Sequence, residues 1–193
     1  MRIYTHENYQ EYLDAQIEKN LKKIKHVWVN GNEIKQIAKT VEKYRPDAKL
    51  GVCHGVRNGW EVTQLRKLLK IIVIGTDISP TANTFDNVIQ MDFHNINKKW
   101  LNKLDFIYSN SFDHSYKPAE CLNIWMKHII KHQGICMIHW MKTNENKIDK
   151  ADCFAASQNE YRNLINDKFQ IVEEIGNQDR KIFVIQHKVN TNG

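Results

Sequence analysis

From residue 49 onward the chain alternates short apolar segments with amphipathic ones, and this alternation limits the possible folds more than any other feature. Residues 71–76, IIVIGT, form an apolar β-branched run that is typical of a strand covered on both faces. Alternation of strands and helices predicts a parallel sheet with helices on both faces, because a parallel pair needs a long crossover. The other predicted strands are 49–53, 87–91, 104–109, 135–141, 169–175 and 181–188, and the predicted helices are 59–70, 118–132 and 157–167.

The last two predicted strands are separated by the short turn Gly176-Asn177-Gln178-Asp179. This turn is too short for a crossover, so the two strands should pair as an antiparallel hairpin. We therefore predict an α/β fold with a seven-stranded, mostly parallel sheet, an antiparallel last strand and helices on both faces. Residues 190–193 are expected to fray.

Two further helices are predicted before the first strand of the sheet. In residues 6–25, apolar side chains recur at helical spacing and predict one apolar face, formed by Tyr9, Leu13, Ile17, Leu21 and Ile24. Asn32 is the predicted N-cap of the second helix, whose buried face would be formed by Ile34, Ile37, Ala38 and Val41. We expect residues 1–48 to form a helical extension, a candidate lid, on a domain spanning 49–193.

Charge and cysteine content narrow the functional class. The net charge of +6 suits an anionic partner, so nucleic acid stays open as a partner without being favoured. No apolar run reaches the ~18 residues that span a bilayer, and the N-terminus has no apolar signal-peptide core. Four cysteines without CxxC pairs or zinc-ligand spacing are expected to be reduced, mostly buried thiols of a cytoplasmic protein that binds no metal.

In a parallel sheet, ligands bind beyond the carboxyl ends of the strands. After the first strand of the sheet, Gly55 and Gly59 flank Arg57 in a turn that allows either close approach of a ligand or only tight packing. Asp77 and Ile78 follow the second strand, and an acidic residue about 20 positions beyond such a turn can accept hydrogen bonds from ribose hydroxyls. Helix capping is the alternative role of Asp77.

Two more strand ends carry candidate residues. Asp92, after the third strand, could accept a hydrogen bond from an adenine amino group while Phe93 packs on the ring, or it could be a surface residue. After the fourth strand, His114 is a candidate general base and Asp113 could orient an acceptor, although this loop could instead only close over a cofactor. His54 and His139 are expected to be structural.

These motifs, in their order and spacing, resemble the class I S-adenosylmethionine-dependent methyltransferases over residues 49–188. The turn Gly55-Val56-Arg57-Asn58-Gly59 and the loop Asn110-Ser111-Phe112-Asp113-His114 are most similar to a bacterial and viral subgroup with a GxRxG turn and an NSxDH loop. The terminal hairpin is also typical of the family, whereas dinucleotide dehydrogenases have a parallel strand there.

The resemblance implies a Rossmann-like domain and S-adenosylmethionine as the cofactor. It implies that Gly55 and Gly59 approach the methionine part, that Asp77 binds the ribose and that Asp92 with Phe93 binds the adenine. Ser109 and Asn110 would lie near the sulfonium, and Arg57 would pair with the cofactor carboxylate or form a structural salt bridge. The chain departs from the common acidic-x-Gly-x-Gly-x-Gly turn at two positions. Cys53 stands at the acidic position and Arg57 at the middle glycine, so the methionine end is expected to sit differently.

The expected activity is methyl transfer to an oxygen or nitrogen of a small polar acceptor. An adenine- or cytosine-methylating enzyme is disfavoured because Asn110-Ser111-Phe112 lacks the two prolines of the Asx-Pro-Pro-aromatic loop. A ribose-methylating RNA enzyme fits poorly because His139 stands where its lysine would be. The alternatives are an RNA methyltransferase, a catalytically inactive module that binds the cofactor or a partner, and a nucleotide-dependent oxidoreductase, which the missing GxGxxG argues against.

Overall fold

The computed structural model describes residues 1–131 and 133–189, and its elements follow the predicted alternation. The helices are α1 (Tyr9–Lys22), α2 (Gly31–Tyr44), α3 (Trp60–Leu69), α4 (Pro118–His128) and α5 (Gln158–Lys168). The strands are β1 (Arg2–Ile3), β2 (Leu50–His54), β3 (Ile72–Asp77), β4 (Val88–Gln90), β5 (Phe106–Ser109), β6 (Ile135–Met141), β7 (Phe154–Ala155), β8 (Phe169–Gly176) and β9 (Arg180–His187). The predicted frayed end, 190–193, and residue 132 lie outside the described residues.

Seven strands form one sheet in the order β4-β3-β2-β5-β6-β9-β8. The five strands from β4 to β6 pair in parallel, and β9 runs antiparallel to both of its neighbours. This confirms the predicted seven-stranded, mostly parallel sheet with an antiparallel last strand. The chain adds β3 and β4 on one side of β2 and then β5 and β6 on the other. This reversal opens a crevice at the carboxyl ends of β2, β3 and β5.

The sheet is covered on both faces, as the apolar strands predicted. Along β5, Phe106 and Tyr108 belong to the core under α2 and α3, whereas Ile107 between them belongs to the core under α4 and α5. Gly51, on neighbouring β2, leaves room for the Phe106 ring, because a Cβ at this position would lie 2.1 Å from a ring carbon. These two cores hold the strand ends of the crevice in fixed positions.

Helix α2 begins two residues earlier than predicted. Its N-cap is Asn30 rather than Asn32: the Asn30 side chain accepts hydrogen bonds from two backbone N–H groups, and the Glu33 carboxylate accepts one from the Asn30 N–H. This reciprocal capping box satisfies free donors of the first turn. The predicted apolar face of α2 is buried, and Ile37 and Val41 share a core with Val62 of α3.

Helix α1 is present, but the predicted apolar face is not the face that it buries. Its buried residues are Tyr12, Gln16 and Asn20, whereas Tyr9 and Leu21 of the predicted stripe are 48% and 53% exposed. The physical reason is the surface that α1 covers. It lies across the carboxyl edge of the sheet, where carboxylates need hydrogen-bond donors, so polar side chains form its contact face.

Three smaller features complete the fold. Strands β1 and β7 form a separate antiparallel pair that the sequence analysis missed. Helix α4 ends four residues before the predicted end at 132, because Ile129 takes an extended backbone and pairs with Leu104. All four cysteines are free and buried, as expected. Within residues 1–131 and 133–189, no helix is long and apolar enough to cross a membrane.

Candidate functional site

The turn after β2 brings backbone close to the crevice. Gly55, Arg57 and Gly59 all have positive φ angles, of +70°, +51° and +72°. A Cβ on Gly55 would lie 2.6 Å from the Cβ of Ser111, so only glycine fits between the two loops. The left-handed backbone of Arg57 places its N–H 2.8 Å from Asp77 Oδ2. The turn therefore positions the carboxylate at the end of β3.

Asp77 is buried, and both of its carboxylate oxygens are hydrogen-bonded. Oδ1 accepts from the Ser79 N–H at 3.0 Å and from Asn20 Nδ2 of α1 at 2.8 Å, while Oδ2 accepts from Arg57. Burial raises the pKa of the Asp77 carboxyl, and the backbone hydrogen bonds from Ser79 and Arg57 oppose that rise. Asp77 thus accepts from loop N–H groups and from α1, and it is not the helix cap of the alternative interpretation, because the N-cap of the helical turn that follows is Ser79.

Asp92 has the same arrangement one strand further along the sheet. Its Oδ1 accepts from the backbone N–H of His94 at 2.9 Å and lies 2.7 Å from the His94 ring, and Oδ2 accepts from the Tyr9 hydroxyl at 2.9 Å. Burial alone would raise the pKa of the Asp92 carboxyl, but the hydrogen bonds and charge of His94 lower it below its ordinary value. Asp92 therefore also has an acceptor oxygen bonded to a donor from α1.

A cavity joins these carboxylates and is called the first cavity below. It contains most of the predicted cofactor residues together with the candidate base: Gly55, Arg57, Asp77, Ile78, Asp92, Phe93 and His114. The predicted residues Asn110 and Asp113 line an adjoining second cavity instead. Gly59 and Ser109 line neither cavity: a Cβ on Gly59 would meet Val88, and the Ser109 hydroxyl donates to the His54 carbonyl.

Helix α1 forms the opposite wall of the first cavity with Tyr12, Gln16, Lys19 and Asn20. These residues were not predicted, because the helical spacing in 6–25 predicts an apolar face formed by other residues. The spacing of Tyr12, Gln16 and Asn20, four residues apart, places them on one face and was the available signal. The carboxylates at the ends of β3 and β4 are thus covered by a helix that donates to both.

The His114 ring is held at the boundary between the two cavities. Gln16 Nε2 donates to the Ala151 carbonyl at 2.8 Å, so Gln16 Oε1 faces His114 Nδ1, also at 2.8 Å, and accepts a hydrogen bond from the Nδ1–H. The other ring nitrogen, Nε2, faces the carboxylate of Asp152 at 3.4 Å and that of Asp113 at 4.0 Å. His114 Nε2 is therefore the nitrogen that can take a proton.

Asp152, which the sequence analysis also missed, is the ionised partner in this group. Burial opposes ionisation, but His114, Lys147 and Lys19 hold the pKa of the Asp152 carboxyl well below its ordinary range. Asp113 differs: burial raises the pKa of its carboxyl, which accepts a hydrogen bond from Asn144 Nδ2 at 2.7 Å.

Asp113, His114 and Asp152 also bring potential metal-ligand atoms within 4.8 Å of one another. The oxygens of Asp152 are instead paired with two ammonium groups, Oδ1 with Lys19 and Oδ2 with Lys147 at 2.8 Å. A cation there would displace lysines that already neutralise the carboxylate, so the residues fit an ion-pair network better than a metal site.

The buried histidines His54 and His139 do not belong to the hydrogen-bonded groups around Asp77, Asp92 and His114. His54 Nδ1 lies 2.7 Å from the Thr76 hydroxyl oxygen, and its ring stacks on Trp125. Burial lowers the pKa of both His54 and His139 to about 3, so both rings are neutral near pH 7.

Comparison with known proteins supports the fold. No family model and no curated protein matches the chain. A 1,6-didemethyltoxoflavin-N1-methyltransferase of Burkholderia thailandensis, solved with 1,6-didemethyltoxoflavin and S-adenosylhomocysteine bound, superposes with a TM-score of 0.73 at 9% identity. The match covers 96% of this chain and 93% of that one.

Two further solved structures extend the likeness. A chain from the complex of the Haloferax volcanii Trm112 methyltransferase activator with a methyltransferase has a TM-score of 0.67 at 14% identity, covering 96% of this chain and all of that one. A SAM-dependent methyltransferase from Aquifex aeolicus has a TM-score of 0.59 at 14% identity, covering 82% and 98%. The chain has the Rossmann-like fold of these methyltransferases.

Proposed function

We propose that this protein is an S-adenosylmethionine-dependent methyltransferase that transfers a methyl group to an oxygen or nitrogen of a small polar acceptor. One observation carries the proposal. The first cavity joins the glycine turn after β2 with Asp77 and Ile78 after β3 and with Asp92 and Phe93 after β4. These are the positions at which the motif resemblance to class I methyltransferases, and to their GxRxG/NSxDH subgroup, assigns cofactor contacts.

The donor and acceptor chemistry of the first cavity fits this cofactor. Asp77 offers carboxylate oxygens to ribose hydroxyls, and Asp92 offers one to the adenine amino group. In the structure these oxygens accept from an amide N–H of Asn20 and a hydroxyl of Tyr9, groups of the same hydrogen-bonding type. Phe93 would pack beside the adenine, Gly55 would leave space for the methionine part, and Arg57 would pair with the carboxylate of that part.

When bound, the cofactor supplies a methyl group activated by a sulfonium. The protein has to align the acceptor and remove its proton, and alignment alone can contribute several kcal/mol. His114 Nε2 takes that proton, and the charge gained faces the ionised Asp152. Gln16 holds the ring through Nδ1. Asp113, fixed by Asn144, orients the acceptor in the second cavity.

Residues 1–48 act as a lid through α1 rather than as a detachable domain. Helix α2 shares the core with α3, so deleting the whole extension would expose that core. Helix α1 contributes mainly polar contacts at the edge of the cavity and can move without opening either core. The free, buried cysteines fit a reducing cytoplasm as the site of action.

The activity is tested by methyl transfer from S-adenosylmethionine labelled at the methyl group. The labelled cofactor is incubated with small-molecule and RNA fractions of a cell extract, using wild-type protein and Asp77→Ala. The matched control is Asp86→Ala, which removes an exposed carboxylate nine residues further along the chain.

The proposal expects label in the small-molecule fraction with wild type and Asp86→Ala, and none with Asp77→Ala. Label confined to RNA would replace the small acceptor with RNA. Cofactor binding without transfer to any fraction would leave a non-catalytic binding module.

A further inference from the structure

The second cavity is lined mostly by residues to which no cofactor contact is assigned, with Arg57 and Asn110 as the exceptions. It shares Lys19, Arg57, Ser111 and His114 with the first cavity. Lys23, Trp28 and Lys147 line the second cavity only. A molecule bound there would lie against His114, the candidate base, on the side facing away from Asp77 and Asp92.

Positive charge is in excess in the second cavity. Four cationic side chains line it, Lys19, Lys23, Arg57 and Lys147, against the two carboxylates of Asp113 and Asp152. Lys19 and Lys147 are both paired with Asp152. The other two cations, Lys23 and Arg57, have no carboxylate within 4.0 Å among the residues that the structure describes.

The direct side-chain contacts of Lys23 and Arg57 are with neutral groups, although Asp152 acts on Lys23, and Asp77, Glu61 and Asp152 act on Arg57, at longer range. The Lys23 ammonium lies 5.2 Å from the centroid of the Trp28 ring. Arg57 donates from Nη1 to the His26 carbonyl at 3.3 Å, and its buried Nε has no hydrogen-bond partner within residues 1–131 and 133–189. Burial, together with the charges of Lys19 and Lys147, lowers the pKa of Lys23. Unpaired cations at a partly buried site favour the arrival of an anion.

We infer that the second cavity binds a negatively charged group of the methyl acceptor, a carboxylate or a phosphate, with a flat part of the acceptor against Trp28. This inference rests on the proposed methyl transfer, because only that activity makes the bound anion a methyl acceptor. The ammonium of Lys23 can donate a charge-assisted hydrogen bond to either anion, and the guanidinium of Arg57, which also borders the first cavity, can add donors that the cofactor carboxylate leaves free. Trp28 is 46% exposed and lines the second cavity, while part of its ring is covered by the stacked His26 ring and by the Lys23 ammonium.

The carboxylate of the cofactor is the competing occupant, and the two can be separated by residue. Arg57 borders both cavities and can serve either anion. Lys23 and Trp28 border only the second cavity, so they report on the acceptor.

Benzoate is a suitable probe, because it combines a carboxylate with a flat ring, and benzamide is its neutral match. Each is titrated into protein saturated with S-adenosylhomocysteine, and the indole N–H signals of the five tryptophans are followed by NMR. The Trp28 signal is identified from Trp28→Phe. The variant Lys23→Gln removes the unpaired ammonium, and Lys25→Gln removes an exposed one two residues away as a control.

The inference expects benzoate, and not benzamide, to shift the Trp28 signal. Lys23→Gln should weaken benzoate binding about tenfold, while leaving S-adenosylhomocysteine binding and the Lys25→Gln control unchanged. Equal shifts with benzoate and benzamide would overturn the anion site. A loss of S-adenosylhomocysteine affinity in Lys23→Gln would assign the cation to the cofactor instead.

The same samples also test the proposed function, through the binding of S-adenosylhomocysteine. Binding of S-adenosylhomocysteine without benzoate binding would overturn this inference and leave the methyltransferase proposal standing. Benzoate binding to a protein that does not bind S-adenosylhomocysteine would overturn both the cofactor proposal and the assignment of the anion to a methyl acceptor.

Discussion

Replacing Asn20 with alanine should tighten the binding of S-adenosylmethionine and S-adenosylhomocysteine. The Asn20 amide donates to Asp77 Oδ1 at 2.8 Å, and this is an oxygen that the ribose would need. The cofactor must therefore displace Asn20, and losing that hydrogen bond makes the free energy of cofactor binding less favourable. Removing Asn20 removes the competition and leaves the Asp77 carboxylate in place.

The size of the effect follows from the bond that is broken. Hydrogen bonds to charged groups typically contribute about 1.5–3 kcal/mol. The lower end applies because the N–H groups of Ser79 and Arg57 continue to hold Asp77 when Asn20 leaves. About 1.5 kcal/mol corresponds to roughly tenfold in Kd, provided that the closed form of α1 dominates in the free protein.

Isothermal titration calorimetry with S-adenosylhomocysteine measures this directly. Tyr9→Phe, which removes the hydroxyl bonded to Asp92, should change Kd in the same direction. Gln10→Ala, an exposed change on the outer face of α1, controls for the general loss of a helix side chain. Weaker binding by Asn20→Ala would show that Asn20 holds the cofactor rather than competing with it, and would refute the lid reasoning.

Burial raises the pKa of Glu61 from 4.5 to about 7. Because the native state then holds a proton that the unfolded state releases, the free energy of unfolding should fall as the pH rises from about 4.5 to 7. In urea unfolding, Glu61→Gln should flatten that fall and raise the free energy of unfolding at pH 8 by up to about 3 kcal/mol. Parallel pH profiles of the two proteins would contradict this. Gly51→Ala should lower the free energy of unfolding by about 1–3 kcal/mol, because the added methyl group clashes with the Phe106 ring. Gly31→Ala is the control and should leave stability unchanged, because a Cβ there has no atom within 4 Å. Equal melting temperatures for the two variants would contradict the packing argument. His114→Asn should lower kcat about 100-fold or more once an acceptor is known, with little change in cofactor Kd, and an unchanged kcat would remove His114 as the base.

The fold was predictable because its signals are local. The run at 71–76 and the short turn at 176–179 each require only neighbouring residues to be interpreted, and both were placed correctly. The position of Asp77 and Asp92 at one edge of the sheet was predictable for the same reason: Asp77 ends β3 and Asp92 lies just beyond β4, and the carboxyl ends of parallel strands share one edge of the sheet.

The parts that were missed depend on contacts between distant residues. Asn20 and Asp77 are 57 positions apart, and the Asp152 partner of His114 is 38 positions further along the chain. Nothing in the sequence of α1 says that its polar face, rather than its apolar stripe, meets the sheet. The carboxylates at the edge of the sheet determine which face of α1 makes contact. Leaving them without hydrogen-bond donors would cost more free energy than burying Leu21 would gain.

The central claim is that the first cavity holds S-adenosylmethionine through Asp77. Its most direct test is calorimetric titration of wild-type protein, Asp77→Ala and Asp86→Ala with S-adenosylhomocysteine, using NADH as a decoy. We predict micromolar binding to wild type and Asp86→Ala, loss of binding in Asp77→Ala, and no binding of NADH. Equal affinity for wild type and Asp77→Ala, or no binding to wild type, would contradict the account.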